Sequence, residues 1–299
     1  MPFVKKNTDN KKTNVIFSPF FLSWVPLNFY TGVDMRLIHL KDIATLGNVA
    51  IGFGSAVLAI ESLIAPDKTM SEYFLHQACY LIMAAYVFDF VDGIVARLTK
   101  MSNRFGAELD TIADHVTYAV CPAFIVFSFY HEISPLLAFC MGMIPLAFGC
   151  IRHARNGVYD ISFRRFWLGT PRPVSAFYIV GVIGTQLQNF IPNYKFWVIP
   201  VFLWIGWNNL SFYPFLSHHG RKFNKALLFF MSVAVILLFS SGVATAVTGK
   251  PWLLDCLLFE MLVYTFLTPL CFDKDDMDGY KEYVAAKKAE IAEDMKPKL

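Results

Sequence analysis

The stretch FDFVDGIVARLTKMSNRFGAELDTIADHV, residues 88–116, places four aspartates, Asp89, Asp92, Asp110 and Asp114, at the junction of two apolar runs. A spanning helix needs roughly 20 mostly apolar residues, and the runs at 73–97 and 109–130 meet that length. Carboxylates inside such runs are costly and mark function. Spacings of three and four put Asp89 with Asp92, and Asp110 with Asp114, on one face of each helix. A short turn joins the helices, so the two faces can meet at similar membrane depth. Four carboxylates at close quarters repel one another and cannot stay ionised in a low dielectric without countercharge. Two divalent cations would supply it, and hard oxygen ligands suit magnesium, manganese or calcium rather than zinc.

The rest of the chain agrees with a membrane setting. Of 299 residues, 56% are hydrophobic and 16% charged, against about 25% charged in soluble domains. With a mean hydropathy of +0.47, this excludes disorder, a coiled coil and an ordinary water-soluble enzyme. The net charge of +3 is too small to argue for nucleic acid, and the six cysteines form no CxxC pair and no disulfide or zinc framework. The fold expected is an all-α integral membrane protein of eight transmembrane helices, near 43–64, 73–97, 109–130, 133–152, 173–191, 196–216, 226–247 and 252–271. With both termini cytoplasmic, 23 of the 26 basic residues fall on the inner side and only Lys68, Lys195 and Lys250 on the outer, as the positive-inside rule requires.

Residues 14–33 are apolar too, but Pro19 and Pro26 interrupt a helix and Trp24 and Tyr30 favour the interface. This segment reads as an interfacial amphipathic helix on the cytoplasmic leaflet, and the first residues carry no signal-peptide pattern. The expected organisation is therefore tail and interfacial helix over 1–42, a transmembrane domain over 43–271, and a solvated, helical cytoplasmic tail over 272–299. The tail's Asp273, Asp275, Asp276 and Asp278 lack the spacing of a calcium loop.

Small residues and one arginine frame the carboxylates. Gly93 follows Asp92, and Ala96 and Arg97 lie a turn further on, opening a concave surface beside a planar donor suited to phosphate. Gly106 precedes Asp110 by four residues, on the same face, and permits close approach. Metals, small residues and an arginine describe a diphosphate site. Capping of helix ends would account for one or two of the aspartates, not for all four with this Gly and Arg spacing.

The pattern D-x2-D-G-x2-A-R-x8-G-x3-D-x3-D is complete as Asp89, Asp92, Gly93, Ala96, Arg97, Gly106, Asp110 and Asp114. It resembles the signature of the CDP-alcohol phosphotransferase family. ATLGNVAIGFGSAVLAI, with Thr45, Leu46 and Asn48, is similar to the first helix of the branch that uses serine. FGAELDTIADHVTYAVCPA resembles that branch's third-helix segment, and IRHARNGV followed by LGTPRP resembles its basic loop. The match covers about residues 39–180. The resemblance implies transfer of a phosphatidyl group from CDP-diacylglycerol to L-serine with release of CMP. It implies two Mg2+ or Mn2+ held by Asp89, Asp92, Asp110 and Asp114, with Asp114 also taking the alcohol proton. Thr45, Asn48, Asp92, Gly93, Ala96, Arg97, Ser102, Asn103 and Gly106 would contact CDP-diacylglycerol. A homodimer among membrane lipids, with its active site at the cytoplasmic face of a bacterial inner membrane, completes the expectation. Three departures from the family pattern stand out: Ile94, His153, and Thr117-Tyr118-Ala119 in place of a more usual Ser-Phe-Gly. They bear on the alcohol, not on the reaction class.

Arg152, Arg155 and Asn156 have two readings. Topology alone explains basic residues there, while a guanidinium fork could receive the serine carboxylate. His115 sits beside Asp114 but a hundred degrees round the helix, as a neighbour; His218-His219 read as interface residues, and Asp255 and Glu260 as packing or dimer contacts. A sister enzyme using choline, inositol phosphate or glycerol phosphate is the nearest alternative: Tyr159, Phe163, Phe166 and Trp167 offer aromatic faces for a choline cation, and the loop with Arg152, Arg155, Arg164, Arg165 and Arg172 is a candidate basic pocket for a phosphorylated alcohol. A transporter is the distant one, as intramembrane aspartates also mark ion pathways. Against it, the four lie near one membrane face and no internal repeat is evident.

Overall fold

The computed structural model describes residues 40–99, 104–163, 165–217, 225–267, 269, 272 and 274–296, all within the unit Ile38–Leu299. The expected interfacial segment 14–33, Ser102, Asn103, His218 and His219 lie outside these residues. The side chains at 40, 41, 92, 95–99 and 225–227 lie outside the description as well.

The described residues are mostly helical. In order come α1 (Leu40–Ile64), α2 (Lys68–Thr99), α3 (Arg104–His115), a π-helical turn (Val116–Val120), α4 (Cys121–His131) and α5 (Pro135–Tyr159). Then follow β1 (Phe166–Leu168), α6 (Arg172–Gly184), a 3-10 turn (Gln186–Asn189), α7 (Tyr194–Trp197), α8 (Ile199–Leu210) and β2 (Pro214–Leu216). The last helices are α9 (Lys225–Thr248), α10 (Trp252–Leu267) and α11 (Lys274–Asp294). Local chemistry sets several boundaries. Ser134 caps α5 by accepting from the Leu137 amide at 3.5 Å, with Pro135 in the first turn. Asp160, in the left-handed region at φ 44°, ends the same helix.

Among the described residues, five helices are long and apolar enough to cross a membrane: Asp42–Ile64, Lys68–Val91, Arg104–His131, Pro135–Tyr159 and Leu228–Thr248. The third runs from α3 through the π turn into α4. The other three expected spans coincide with shorter helices, of 13, 12 and 16 residues in α6, α8 and α10. At about 1.5 Å per residue they rise roughly 18–24 Å, less than a hydrocarbon core of about 30 Å. The expected run 173–191 stops at Gly184 because Thr185 turns the chain, its hydroxyl donating to Asp255 at 2.6 Å and accepting from the Leu187 amide at 3.2 Å. The run 196–216 stops at Leu210, where Ser211 adopts extended backbone and its hydroxyl donates to the Asn208 carbonyl at 2.9 Å.

Packing follows small residues and buried polar groups. On α1, Asp42, Thr45, Asn48, Ser55, Ala56, Ala59 and Ser62 are buried, as are Ala78, Cys79 and Ala85 of α2, the helix it packs beside. Such a seam lets backbones approach closely inside a membrane. Helix α6 is buried from Ser175 to Gly184 and forms the centre of the bundle. Its Tyr178 hydroxyl donates to the Met261 carbonyl at 2.7 Å and meets Thr265 at 2.6 Å, which fastens it to α10.

A two-stranded antiparallel ribbon, absent from the expectation, pairs Phe166 with Leu216 and Leu168 with Pro214. Together with Ile161 and Tyr280 it makes a second small core. Helix α11 packs on it. The Tyr280 hydroxyl donates to the Phe212 carbonyl at 2.9 Å, Lys287 donates to the Tyr159 carbonyl at 2.6 Å, and Arg165 pairs with Asp276. Burial pushes the Tyr280 phenol up, so it stays a neutral donor. The tail is helical as expected, but its apolar face is docked rather than solvated.

Candidate active site

Helices α2 and α3 bring three of the four aspartates together. Asp89, Asp110 and Asp114 are each half-buried, and each offers an oxygen within 4.8 Å of the other two. Oxygens bound to one ion at about 2.0–2.6 Å lie at most roughly 4–5 Å apart, so this spacing fits a shared hard cation. The donor set, carboxylate oxygen only, fits magnesium, manganese or calcium. Asp92 lies on α2 three residues beyond Asp89, as do Ala96 and Arg97 further on; the side chains of all three are outside the description. Gly93 is half-buried on α2, and Gly106 is buried on α3.

The first helix supplies the adjoining wall. Thr45 and Asn48 of α1 are 2% and 0% exposed. The side-chain oxygen and nitrogen of Asn48 have no hydrogen-bond partner among the described residues. A buried amide in that state costs free energy, and a bound polar ligand would recover it. Asp42, fully buried one turn before Thr45, was placed in the tail by sequence reasoning. Its three-residue spacing from Thr45 was the available signal.

Immediately after Asp114 and His115, the chain makes one π turn over Val116–Val120. Such turns add a residue and re-aim side chains, often at functional sites. The turn is tightly held: a Cβ on Gly52 would lie 2.8 Å from the Thr117 hydroxyl, and one on Gly149 would lie 2.7 Å from Ala119 Cβ. Within it Tyr118, 2% exposed, donates its hydroxyl to Asp89 Oδ2 at 3.4 Å.

Beyond Asp114 lies a second polar group. His115 Nε2 meets Cys150 Sγ at 3.4 Å, and the His115 and His153 rings are 5.6 Å apart. Arg172, at the start of α6, donates to the Thr111 carbonyl at 2.7 Å. Thr111 sits between Asp110 and Asp114, so this guanidinium reaches the helix that carries the carboxylates. The sequence places Arg172 among the inner-face charges and in the five-arginine loop, without linking it to the carboxylates.

The residues expected at the alcohol also make bonds within the bundle. Buried Arg152 donates through Nη1 to the Leu168 and Asn209 carbonyls at 2.9 and 2.7 Å. Arg155 donates to the Leu210 carbonyl at 2.6 Å, to Asn156 Oδ1 at 3.3 and 3.2 Å, and lies 5.3 Å from the Phe212 ring centre. These contacts strap the end of α5 to β1 and to the end of α8. The reason is local: Leu168, Asn209 and Leu210 lie where chain leaves regular structure, and their carbonyls need donors. Asp255 is likewise explained, accepting from Thr185 at 2.6 Å and from the Gln186 amide and side chain at 2.8 and 2.7 Å. Glu260 meets Cys256 Sγ at 3.7 Å.

Residues 39–213 match the model of the CDP-alcohol phosphatidyltransferase family. The chain is 31% identical over 159 residues to the CDP-diacylglycerol–serine O-phosphatidyltransferase of Methanocaldococcus jannaschii, covering 52% of this chain and 67% of that one. It is 32% identical over 111 residues to the enzyme of that name from Helicobacter pylori, covering 37% and 47% of the two chains. With the Saccharomyces cerevisiae enzyme of that name it shares 37% identity over 94 residues, covering 31% and 33%. The aligned part thus spans about two thirds of the archaeal relative and less than half of the other two.

Proposed function

This chain belongs to the CDP-alcohol phosphatidyltransferase family, and on that premise we propose that it transfers a phosphatidyl group from CDP-diacylglycerol to L-serine. The products are phosphatidylserine and CMP. The observation that carries the reading is the meeting of Asp89, Asp110 and Asp114 in one niche, in a chain whose relatives bear that enzyme's name.

In the proposed reaction the serine hydroxyl oxygen bonds to the phosphorus that carries diacylglycerol, and the bond from that phosphorus to the CMP oxygen breaks. Divalent metal, Mg2+ or Mn2+ and two ions per site, neutralises the diphosphate and the departing CMP when bound. Asp89, Asp92, Asp110 and Asp114 would hold it. Asp114, a turn beyond Asp110, also takes the hydroxyl proton, which an aspartate can do only for a positioned and acidified alcohol. Gly93, Ala96, Arg97 and Gly106 receive the cytidine diphosphate, with Thr45 and Asn48 of α1 beside it and Ser102 and Asn103 at the turn. We assign the serine carboxylate to Arg172, because the carbonyl its guanidinium holds, Thr111, lies between Asp110 and Asp114, whereas those held by Arg152 and Arg155, at Leu168, Asn209 and Leu210, lie on other elements. Arg155 and Asn156 then shape the rim of that pocket.

The same reading places α6, α8 and α10 as the remaining three of eight spans, with the bilayer thinned or the helix ends covered by loops. Both termini are then cytoplasmic, the active site opens at the cytoplasmic face of a bacterial inner membrane, and the unit is a homodimer. The domain limits follow as 1–42, 43–271 and 272–299. The test is CMP release from CDP-diacylglycerol by the purified protein, with serine, choline, inositol phosphate and glycerol phosphate in turn. Serine should support the fastest metal-dependent release; preference for another alcohol would overturn the serine assignment and keep the reaction class.

A further inference from the structure

We propose that Tyr118 is a positioning residue for the metal niche, its hydroxyl fixing which oxygen of Asp89 faces the cation. The inference rests on the metal reading above and goes beyond it by adding a residue outside the aspartate pattern.

Three observations converge on it. Tyr118 is 2% exposed, and a buried hydroxyl costs free energy unless it finds an acceptor. The acceptor it has is Asp89 Oδ2, at 3.4 Å. The ring comes from the π turn Val116–Val120, whose position is fixed by Gly52 against Thr117 and Gly149 against Ala119. The phenol therefore cannot follow the carboxylate if it swings; the carboxylate must come to the phenol. Finally, the acceptor belongs to the niche itself, since Asp89 offers an oxygen within 4.8 Å of oxygens of Asp110 and Asp114.

The chemistry is that of an outer contact to a ligating carboxylate. With Oδ2 accepting from the phenol, Oδ1 is left for the cation, and Asp89 is held to one-oxygen coordination. Outer contacts of this kind orient the ligand, and their loss typically weakens metal binding by about 10–100-fold. The 3.4 Å separation is long for such a bond, so an effect near the lower end, about tenfold, is expected.

The readout is metal binding rather than turnover. Purified full-length protein in detergent is titrated with Mn2+, free ion being followed by electron paramagnetic resonance, for wild type, Tyr118→Phe and Asp89→Asn. Tyr130→Phe serves as a control, since Tyr130 is also buried and donates to the Lys195 carbonyl, away from the niche. Tyr118→Phe should raise the Mn2+ dissociation constant about tenfold and change the line shape of the bound ion. Its Tm in chelator should fall only slightly, by no more than the loss of one hydrogen bond causes, because the ring that packs is retained. Tyr130→Phe should leave Mn2+ affinity unchanged. Wild-type affinity and line shape in a folded Tyr118→Phe would overturn the inference while leaving the metal site standing. Wild-type protein that binds no Mn2+, or Asp89→Asn that binds it equally well, would overturn the metal reading and this inference together. Should Tyr118→Phe lose its fold, the hydroxyl is holding the bundle rather than the ligand, and the inference fails.

Discussion

Two sets of half-buried acids sit in this bundle, and they are treated in opposite ways. Asp255 of α10 receives three neutral donors, the Thr185 hydroxyl and the amide and side chain of Gln186. Asp89, Asp110 and Asp114 instead approach one another within 4.8 Å. The first arrangement spreads one charge over dipoles and closes a helix end. The second concentrates like charges, a repulsion that a bound cation would relieve. An acid in a membrane helix is thus not functional by itself; what surrounds it decides.

The largest expected effect separates the two sets. Asp89→Asn or Asp110→Asn should abolish turnover in metal-replete detergent, because each removes a charged ligand. Asp255→Asn should leave turnover near wild type and lower stability by about 2 kcal/mol, the worth of a hydrogen bond to a charged group. That corresponds to a Tm lowered by roughly 4–8 °C. Loss of turnover in Asp255→Asn with unchanged Tm would erase the distinction. Asp114→Asn sharpens it within the niche: CMP release should stop while part of the CDP-diacylglycerol affinity survives in equilibrium binding. If affinity falls as steeply as in Asp89→Asn, Asp114 serves only as a ligand.

The arginines extend the comparison to cations. Arg172→Lys keeps the charge but loses the planar fork, and should raise the KM for serine by about tenfold or more, from roughly 1.5–3 kcal/mol, with little change in the KM for CDP-diacylglycerol. Arg152→Lys should show the reverse pattern, a lower Tm and a serine KM close to wild type. Smallest is Tyr280→Phe, which removes the bond from α11 to the Phe212 carbonyl and should cost about 1 kcal/mol of stability with full activity. A serine effect in Arg152→Lys and none in Arg172→Lys would return substrate recognition to the end of α5.

How much of this was legible in the sequence follows from how local each feature is. The aspartates at spacings of three and four are carried by helical periodicity, and the long apolar helices α1, α2, α5 and α9 by the length of their apolar runs. The short helices were not legible, because α6 ends at a network between Thr185 and Asp255, partners 70 residues apart. The ribbon escaped for the same reason, with strands of three residues each whose partners lie far apart in the chain. Arg152 and Arg155 could be placed at one membrane face from charge, but only the neighbouring carbonyls decide what they bind. Tyr118 was visible as a departure, yet its reach to Asp89 depends on a π turn that no spacing rule reveals.

The central claim is that the carboxylate niche performs metal-dependent phosphatidyl transfer to serine. The most direct measurement follows radiolabelled phosphatidyl product and CMP together, in wild type and Asp110→Asn, with serine and CDP-diacylglycerol, before and after chelation and on readdition of Mg2+ or Mn2+. The account expects equimolar phosphatidylserine and CMP in wild type, loss on chelation, recovery with metal, and neither product from Asp110→Asn under any condition. Product formation that persists in chelator, or in Asp110→Asn, would contradict it.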